Sequence, residues 1–368
     1  MYVNNDKISS RQTMRLYVFD LMGIATLLLP PYLARLCGAN GIYAIVFGTG
    51  GALLYLFYLG WIMKQMKKDC LSFLKEEVSG CLRNLILVVV ALHSIITAGF
   101  CAYVFANLMK YSLVQDTSYA LILILIIAVA IYAVSGGIEG RARIYEVLFW
   151  FILIPYFVMM LASLKDFEWN HVAPVLKWRE TNLMNGTYLV FLFFMPLFFV
   201  IFLIGEKEKN YGRNIVKTVM VSVLFSAFIL LASYVLLIGN FGANSLMRLR
   251  FPVITLMSTI QFEGNFLKRM DALMLAVWFF TLYALLNLHL HYGVRLLTEI
   301  SGAPNKKRNW WQLVVPAGLV FIVAYAMHEN RSWLSAFLWY YSHLAVPFMI
   351  VVPVFLLLVG RKENEKEL

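Results

Sequence analysis

The sequence predicts an all-α integral membrane protein of ten transmembrane helices in a 5+5 inverted repeat, with helices 1 and 6 discontinuous. Three observations carry that prediction. The 368 residues are 61% hydrophobic and only 14% charged, a balance that would leave a soluble domain of this size without a polar surface. Ten apolar stretches are of the length, roughly 18 residues or more, that crosses a bilayer. The first and sixth of them carry a helix-disturbing residue near mid-depth, Gly23 and Pro196. Matching interruptions in two halves of a hydrophobic chain point to a binding site at the membrane midplane.

The stretches lie at 14–36, 41–63, 84–109, 118–135, 144–164, 183–204, 215–238, 271–296, 311–327 and 334–360. Five spans per half is an odd number, so the second half must enter the membrane from the opposite face, as an inverted repeat does. Residues 12–164 form the first five-helix repeat and 183–360 the second, inside one transmembrane domain spanning 1–368. An even total leaves both termini on one side. Of the 31 Lys and Arg, 21 fall in the N-terminal tail, the C-terminal tail and the loops after even-numbered spans, so that side is cytoplasmic by the positive-inside rule. The same bias explains most of the formal charge of +11 and argues against a nucleic-acid partner; membrane lipid is the expected surroundings. Lys7, Arg11 and Arg15 precede a long apolar run with no small-residue cleavage site, which reads as a retained first helix rather than a removed signal.

Between the second and third spans, Leu71, Leu74 and Val78 recur at helical spacing among Lys67, Lys68, Lys75, Glu76 and Glu77, predicting a short amphipathic helix on the cytoplasmic face. Residues 165–182, with Trp169, Pro174 and Trp178, read as an interfacial connector between the halves. The apolar run from Phe251 to Ile260 is too short to cross and is expected to form an external helical lid, with Arg269 and Asp271 a local pair beside it. Tyr58, Trp61, Trp310, Trp311, Trp333, Trp339, Tyr340 and Tyr341 sit at predicted helix ends as ordinary interface anchors.

Enzyme chemistry finds no support. GxSxG, HExxH, a Walker loop and paired carboxylates within a span are all absent. Cys37, Cys70, Cys81 and Cys101 form no CxxC pair, so neither a disulfide framework nor a zinc site is expected. His289 and His291, two residues apart, cannot chelate one metal from a helix as an i, i+4 pair does. No cofactor is implied.

Four features could bind a ligand or an ion. If the first helix unwinds at Gly23, the amides of Ile24, Ala25 and Thr26 become donors at a helix N-terminus suited to a carboxylate; the alternative is a glycine used for close helix packing. In the sixth span Pro196 either breaks the helix or kinks it, and with no hydrogen-bonding side chain from Leu189 to Ile204 any polar recognition there must come from backbone. His93, Thr97 and Cys101 form one polar stripe on the third span, which should face the bundle interior. His93 is open as a packing hydrogen bonder or a proton relay. Asp20, the deepest acidic residue, is either a proton or cation site or the partner of a basic residue at the cytoplasmic end of span five or eight.

Three islands resemble the B subunits of nutrient germinant receptors of endospore-forming bacteria, the spore germination permease-like family within the amino acid-polyamine-organocation (APC/LeuT-like) superfamily. GIATLLLP, from Gly23 to Pro30, is similar to that family's GxGxLxLP. GIEGRARIYEVLF, from Gly137 to Phe149, resembles its G-(I/L)-E-x-x-x-R-x-x-E-x-L-F entry into span five. FPVITLM from Phe251 and FLKRMDALMLAVW from Phe266 resemble its lid and the start of span eight. The chain departs from the pattern at Ala25, where the family has its second glycine, and around Pro196, where apolar residues replace a GFE-like element. The resemblance implies a nutrient-sensing subunit of the spore inner membrane, partnered by a membrane-anchored A subunit and a lipoprotein C subunit, that triggers germination when an amino acid or similar small germinant binds. Carried onto this sequence, the family's pocket implies Gly23, Ala25 and Thr26, with Thr97 and Cys101 opposite and Phe194 and Tyr283 as walls; the last four follow from helical geometry rather than from a motif. The rival readings are a proton- or sodium-coupled amino acid transporter, using Asp20 or His93, and an assembly scaffold with a vestigial pocket.

Overall fold

The computed structural model describes residues 8–66, 70–172, 182–203, 212–259, 270–302 and 310–366. Every regular element among them is helical. Eight segments are long and apolar enough to cross a membrane, and an apolar helix of 17 residues, Tyr119–Ser135, accompanies them. The outer faces carry large apolar side chains such as Leu54, Tyr132, Val147 and Leu161, the composition of a surface solvated by lipid.

The first segment holds two helices, α1 (Ser10–Cys37) and α2 (Gly41–Met66), turned by a 3₁₀ element, Gly38–Asn40, in which Gly38 adopts φ 54°. A capping box starts α1: Ser9 Oγ accepts from the Gln12 amide, and Gln12 Oε1 accepts from the Ser9 amide. The helix then runs without interruption past Gly23, which corrects the expectation of a discontinuous first helix. The physical reason is the close approach of a neighbour. A Cβ at position 23 would overlap the Cβ, Oγ1 and carbonyl carbon of Thr281, so this glycine serves packing. Thr26 Oγ1 donates to Met22 O and Gly23 O at 3.0 and 3.2 Å, and the amides of Ile24, Ala25 and Thr26 stay within the helical ladder.

Next come α3 (Cys70–Glu77), α4 (Gly80–Ser112), α5 (Tyr119–Ser135) and α6 (Gly137–Ala162). A short helix α3 forms where it is expected, but it buries Cys70, Phe73 and Leu74. Of the expected stripe Leu74 is buried, Leu71 is half-buried, and Val78 is buried just past the helix end; Lys67 and Lys68 lie outside the described residues. Beyond α6, a 3₁₀ turn and α7 (Trp169–Val172) form the described part of the connector. It docks on the next long helix, where Gly239 O accepts from the Glu168 amide at 3.2 Å and lies 2.8 Å from His171 Nδ1.

The sixth span is discontinuous. Helix α8 (Leu183–Phe193) stops at a turn on Phe194, and Met195–Phe202 continues as a 3₁₀ helix with Pro196 in its first turn. Proline lacks the amide that would continue the ladder, and its fixed φ suits a helix start. Helix α9 (Gly212–Leu246) kinks at Gly242, where φ 67° and ψ 159° define a conformation essentially reserved for glycine. Gly242→Ala should therefore cost about 1–2 kcal/mol, read as a lowered melting temperature of the purified protein; an unchanged melt would show that the kink is not strained.

The chain continues through α10 (Pro252–Thr259), α11 (Met270–Ile300), α12 (Trp310–Glu329) and α13 (Arg331–Tyr340), then a π-helical turn, Tyr341–Ala345, into α14 (Val346–Lys366). The apolar run from Phe251 forms α10, which buries Pro252, Val253, Leu256 and Met257; the suggested Arg269–Asp271 pair lies outside the described side chains. Helix α1 occupies the centre of the bundle, packed between α9 and α11, and α4 lies against α11 on the far side.

Candidate functional site

A cavity of about 600 Å³ lies among α1, α4, α8 with its 3₁₀ extension, α11 and α13. Each wall is one helical face, because residues three and four apart in sequence stack on the same side. Helix α1 presents Ile24, Leu28, Pro31, Tyr32 and Arg35; α4 presents Thr97, Phe100, Cys101, Val104 and Asn107. The discontinuous sixth span contributes Leu189, Leu192, Phe193 and Pro196, α11 contributes Leu285 and His289, and the last span Phe337, Leu338, Tyr341 and Ser342. The corner from Met247 to Phe251, between α9 and α10, borders the opening.

Two of the predicted residues, Thr97 and Cys101, are on this wall. Thr97 is 4% exposed and its Oγ1 has no hydrogen-bond partner, although a threonine in a helix commonly bonds back to a carbonyl one turn earlier. Its hydroxyl is thus a buried polar group without a partner, the kind of group that calls for an explanation. His289 is also buried, with Nδ1 unpartnered, and its ring packs edge-on to Phe199 with centroids 5.3 Å apart. Pro196 sits where the sixth span breaks and lines the cavity directly.

The other predicted contacts fall elsewhere. Gly23, Ala25 and Thr26 are buried on a different face of α1, and Thr26 Oγ1 lies 3.4 Å from Trp278 Nε1 of α11 as an acceptor. Phe194 is buried in the turn behind the wall formed by Phe193 and Pro196. Tyr283 points outward to α5, its hydroxyl donating to Val129 O at 2.8 Å. For Gly23, Ala25 and Thr26 the cause is the continuity of α1: the stripe from Ile24 to Arg35 faces the cavity instead of an unwound backbone. His93 does not line the cavity; its Nδ1 is 3.0 Å from the Tyr340 hydroxyl, and its ring stands 6.1 Å from that of His289.

Residues 7–332 match the sequence family described as spore germination protein. The chain belongs to the spore germination protein family. Spore germination protein B2 of Bacillus subtilis (strain 168) is 24% identical over 362 residues, covering 96% of this chain and 95% of that protein. Spore germination protein KB of the same organism is 23% identical over 375 residues, covering 98% and 97%. Among solved structures, a Na+-coupled sialic acid symporter in a substrate-bound outward-open state superposes with TM-score 0.63 at 13% identity, over 96% of this chain and 78% of that one. The nucleobase-cation-symport-1 family transporter MHP1, closed around bromovinylhydantoin, gives TM-score 0.64 at 13% identity, over 96% and 90%. This spore germination protein accordingly shares the fold of these two transporters, and its long apolar helices make it an integral membrane protein.

The segment GIEGRARIYEVLF, which carries much of the family resemblance, is structural in this spore germination protein. Glu146 binds the start of α1: its carboxylate accepts from Arg11 Nη2 at 2.6 Å and Gln12 Nε2 at 2.9 Å, and its carbonyl from Arg15 Nη1 at 3.2 Å. Glu139 pairs with Arg143 one turn on. Arg141 reaches inward, donating to the Asp20 carboxylate and, at 3.0 Å, to Ala284 O of α11. Both side chains are buried, so one guanidinium ties α1, α6 and α11 together. Asp20 thus has a basic partner at the start of span five, one of its two expected roles.

Sequence reasoning missed Arg35, Arg248, Arg250, His289 and Tyr341 as cavity residues. Arg248 and Arg250 were legible only as loop charges on the approach to Pro252, and Arg35 only as a charge at the end of the first span, four residues beyond Pro31.

Proposed function

We propose that this protein is the nutrient-binding subunit of a germinant receptor in the spore inner membrane, working with A and C subunits, and that a small germinant occupies the cavity between α1, α4 and the broken sixth span. The carrying observation is the Thr97 hydroxyl, buried without a partner on a cavity wall. Family membership and the transporter-like fold support the reading, since neither a packed core nor an interface anchor needs such a group. The topology that goes with it has ten crossings, counting α1 and α2 separately and including α5, arranged as a 5+5 inverted repeat. Both termini are then cytoplasmic, and the cavity opens outward beside Arg35. A ligand that favours one arrangement of the bundle over another shifts the receptor's population toward it.

Thr97→Val spores should need about tenfold more nutrient for half-maximal germination, as expected for one lost hydrogen bond of 1–1.5 kcal/mol. Thr97→Ser should respond as wild type. The assay is a nutrient panel scored by loss of spore refractility, with receptor abundance followed by blotting. Equal responses from Thr97→Val and wild type at equal abundance would refute the site and leave the scaffold reading.

Cation-coupled transport is the second reading, favoured by the likeness to symporters. Against it, the Asp20 carboxylate is already paired with a tethered guanidinium, leaving no free acid in the described interior to carry an ion. Uptake by the protein in proteoliposomes under a Na+ or H+ gradient decides between them.

A further inference from the structure

The cavity wall carries charge of one sign. Arg35, Arg248 and Arg250 border its opening, and no Asp or Glu is among its described lining residues. Among the described residues, none of these three guanidinium groups has a carboxylate within ion-pair distance. Two of them are held toward the opening by weak contacts. Arg35 Nη2 donates to Met247 O at 3.4 Å, and Arg250 Nη2 donates to Asn107 Oδ1 at 3.4 Å while its guanidinium lies 5.4 Å from the Phe251 ring and 6.0 Å from the Tyr111 ring. A guanidinium has five N–H donors, so most of this donor capacity finds no acceptor among the described residues. Below the rim the described wall is mostly apolar; its polar side chains at depth include Thr97 and His289, whose buried Oγ1 and Nδ1 have no partner, the Cys101 thiol, and Tyr341, whose hydroxyl donates to Leu192 O at 3.4 Å.

We propose that the cavity selects a small organic anion: a carboxylate on a compact apolar body, bound with its charge at the arginine rim and its body among Leu192, Phe193 and Leu338. This rests on the cavity being the ligand site. A carboxylate matches the planar donor fork of arginine in a bidentate way. An α-ammonium entering the same space meets three like charges and finds no carboxylate among the described residues of the wall. A zwitterionic amino acid therefore binds more weakly than its deaminated counterpart, and a simple amine more weakly still. The described rim could also meet lipid phosphate, and the test separates that source.

The test uses the full-length protein in phosphatidylcholine nanodiscs and four probes built on one carbon skeleton: 4-methylpentanoate, leucine, 4-methylpentanamide and 4-methylpentylamine. Thermal unfolding is followed against probe concentration. The expected order of stabilisation is 4-methylpentanoate first, leucine and the amide after it, and the amine last. Arg250→Gln and Arg35→Gln should each raise the half-maximal 4-methylpentanoate concentration about tenfold, the range of a lost charge-assisted hydrogen bond. Leucine or the amine binding more tightly than the carboxylate, or a carboxylate response indifferent to both arginine variants, overturns the proposal. If leucine's response then depends on Thr97 and not on the arginines, the ligand site stands and the anion selectivity falls. If no probe shifts the melt at any soluble concentration, both fall. Stabilisation by added phosphatidylglycerol that needs the arginines, without any by 4-methylpentanoate, assigns the rim to lipid and also overturns the proposal.

Discussion

Arg141→Met should lower the stability of the folded protein by about 3–5 kcal/mol, the usual cost of leaving one partner of a buried ion pair alone. The Asp20 carboxylate would remain inside the bundle with nothing to neutralise it, and α11 would lose the donor to Ala284 O. Asp20→Leu should be damaging in the same direction, because it strands the guanidinium. The double variant Asp20→Leu with Arg141→Met should recover much of the loss, since replacing a buried pair by packed apolar groups is often neutral or better. Melting of the four purified proteins, together with their abundance in the membrane, measures the coupling directly. A double variant as unstable as the sum of the singles would mean that the two side chains act independently, and the tie between α1, α6 and α11 would have to be abandoned.

Gly23→Val should cost about 3 kcal/mol, at the upper end of the range for overpacking a well-filled interior. The neighbour that must give way includes main chain: the added Cβ would come 2.9 Å from the carbonyl carbon of Thr281 as well as overlapping its side chain. The milder pair Gly23→Ala with Thr281→Gly should restore part of what Gly23→Ala alone loses, because Thr281 supplies the closest atoms. The comparison also separates two roles for Gly23. A backbone ligand site would show as normal stability with altered germinant response in Gly23→Ala, whereas a packing contact shows as instability that Thr281→Gly relieves.

Much of the fold was legible because a bilayer imposes length and polarity on each crossing segment. The spans at 41–63 and 118–135 lie within a few residues of helices Gly41–Met66 and Tyr119–Ser135. The break at Pro196 was also readable, since proline acts on its own backbone and that effect needs no neighbour. Gly23 was not readable in the same way. A glycine permits either an unwound turn or a close contact, and the choice lies with Thr281, which is more than 250 residues away in sequence. The polar stripe on α4 correctly pointed Thr97 and Cys101 inward, whereas the positions of Phe194 and Tyr283 depended on rotations of helices about their axes that hydropathy leaves open in an interior apolar on every side.

The sequence by itself determined that this chain is a helical membrane protein of the spore germination family, because composition, span length and short motifs act locally. Only the tertiary structure decided which face of α1 meets the cavity, that Arg141 is the partner of Asp20, and that three arginines from two distant segments gather at one opening. Those outcomes depend on how helices approach and rotate against one another, and in lipid that is set by side-chain packing and polar pairing between segments, which no single segment encodes.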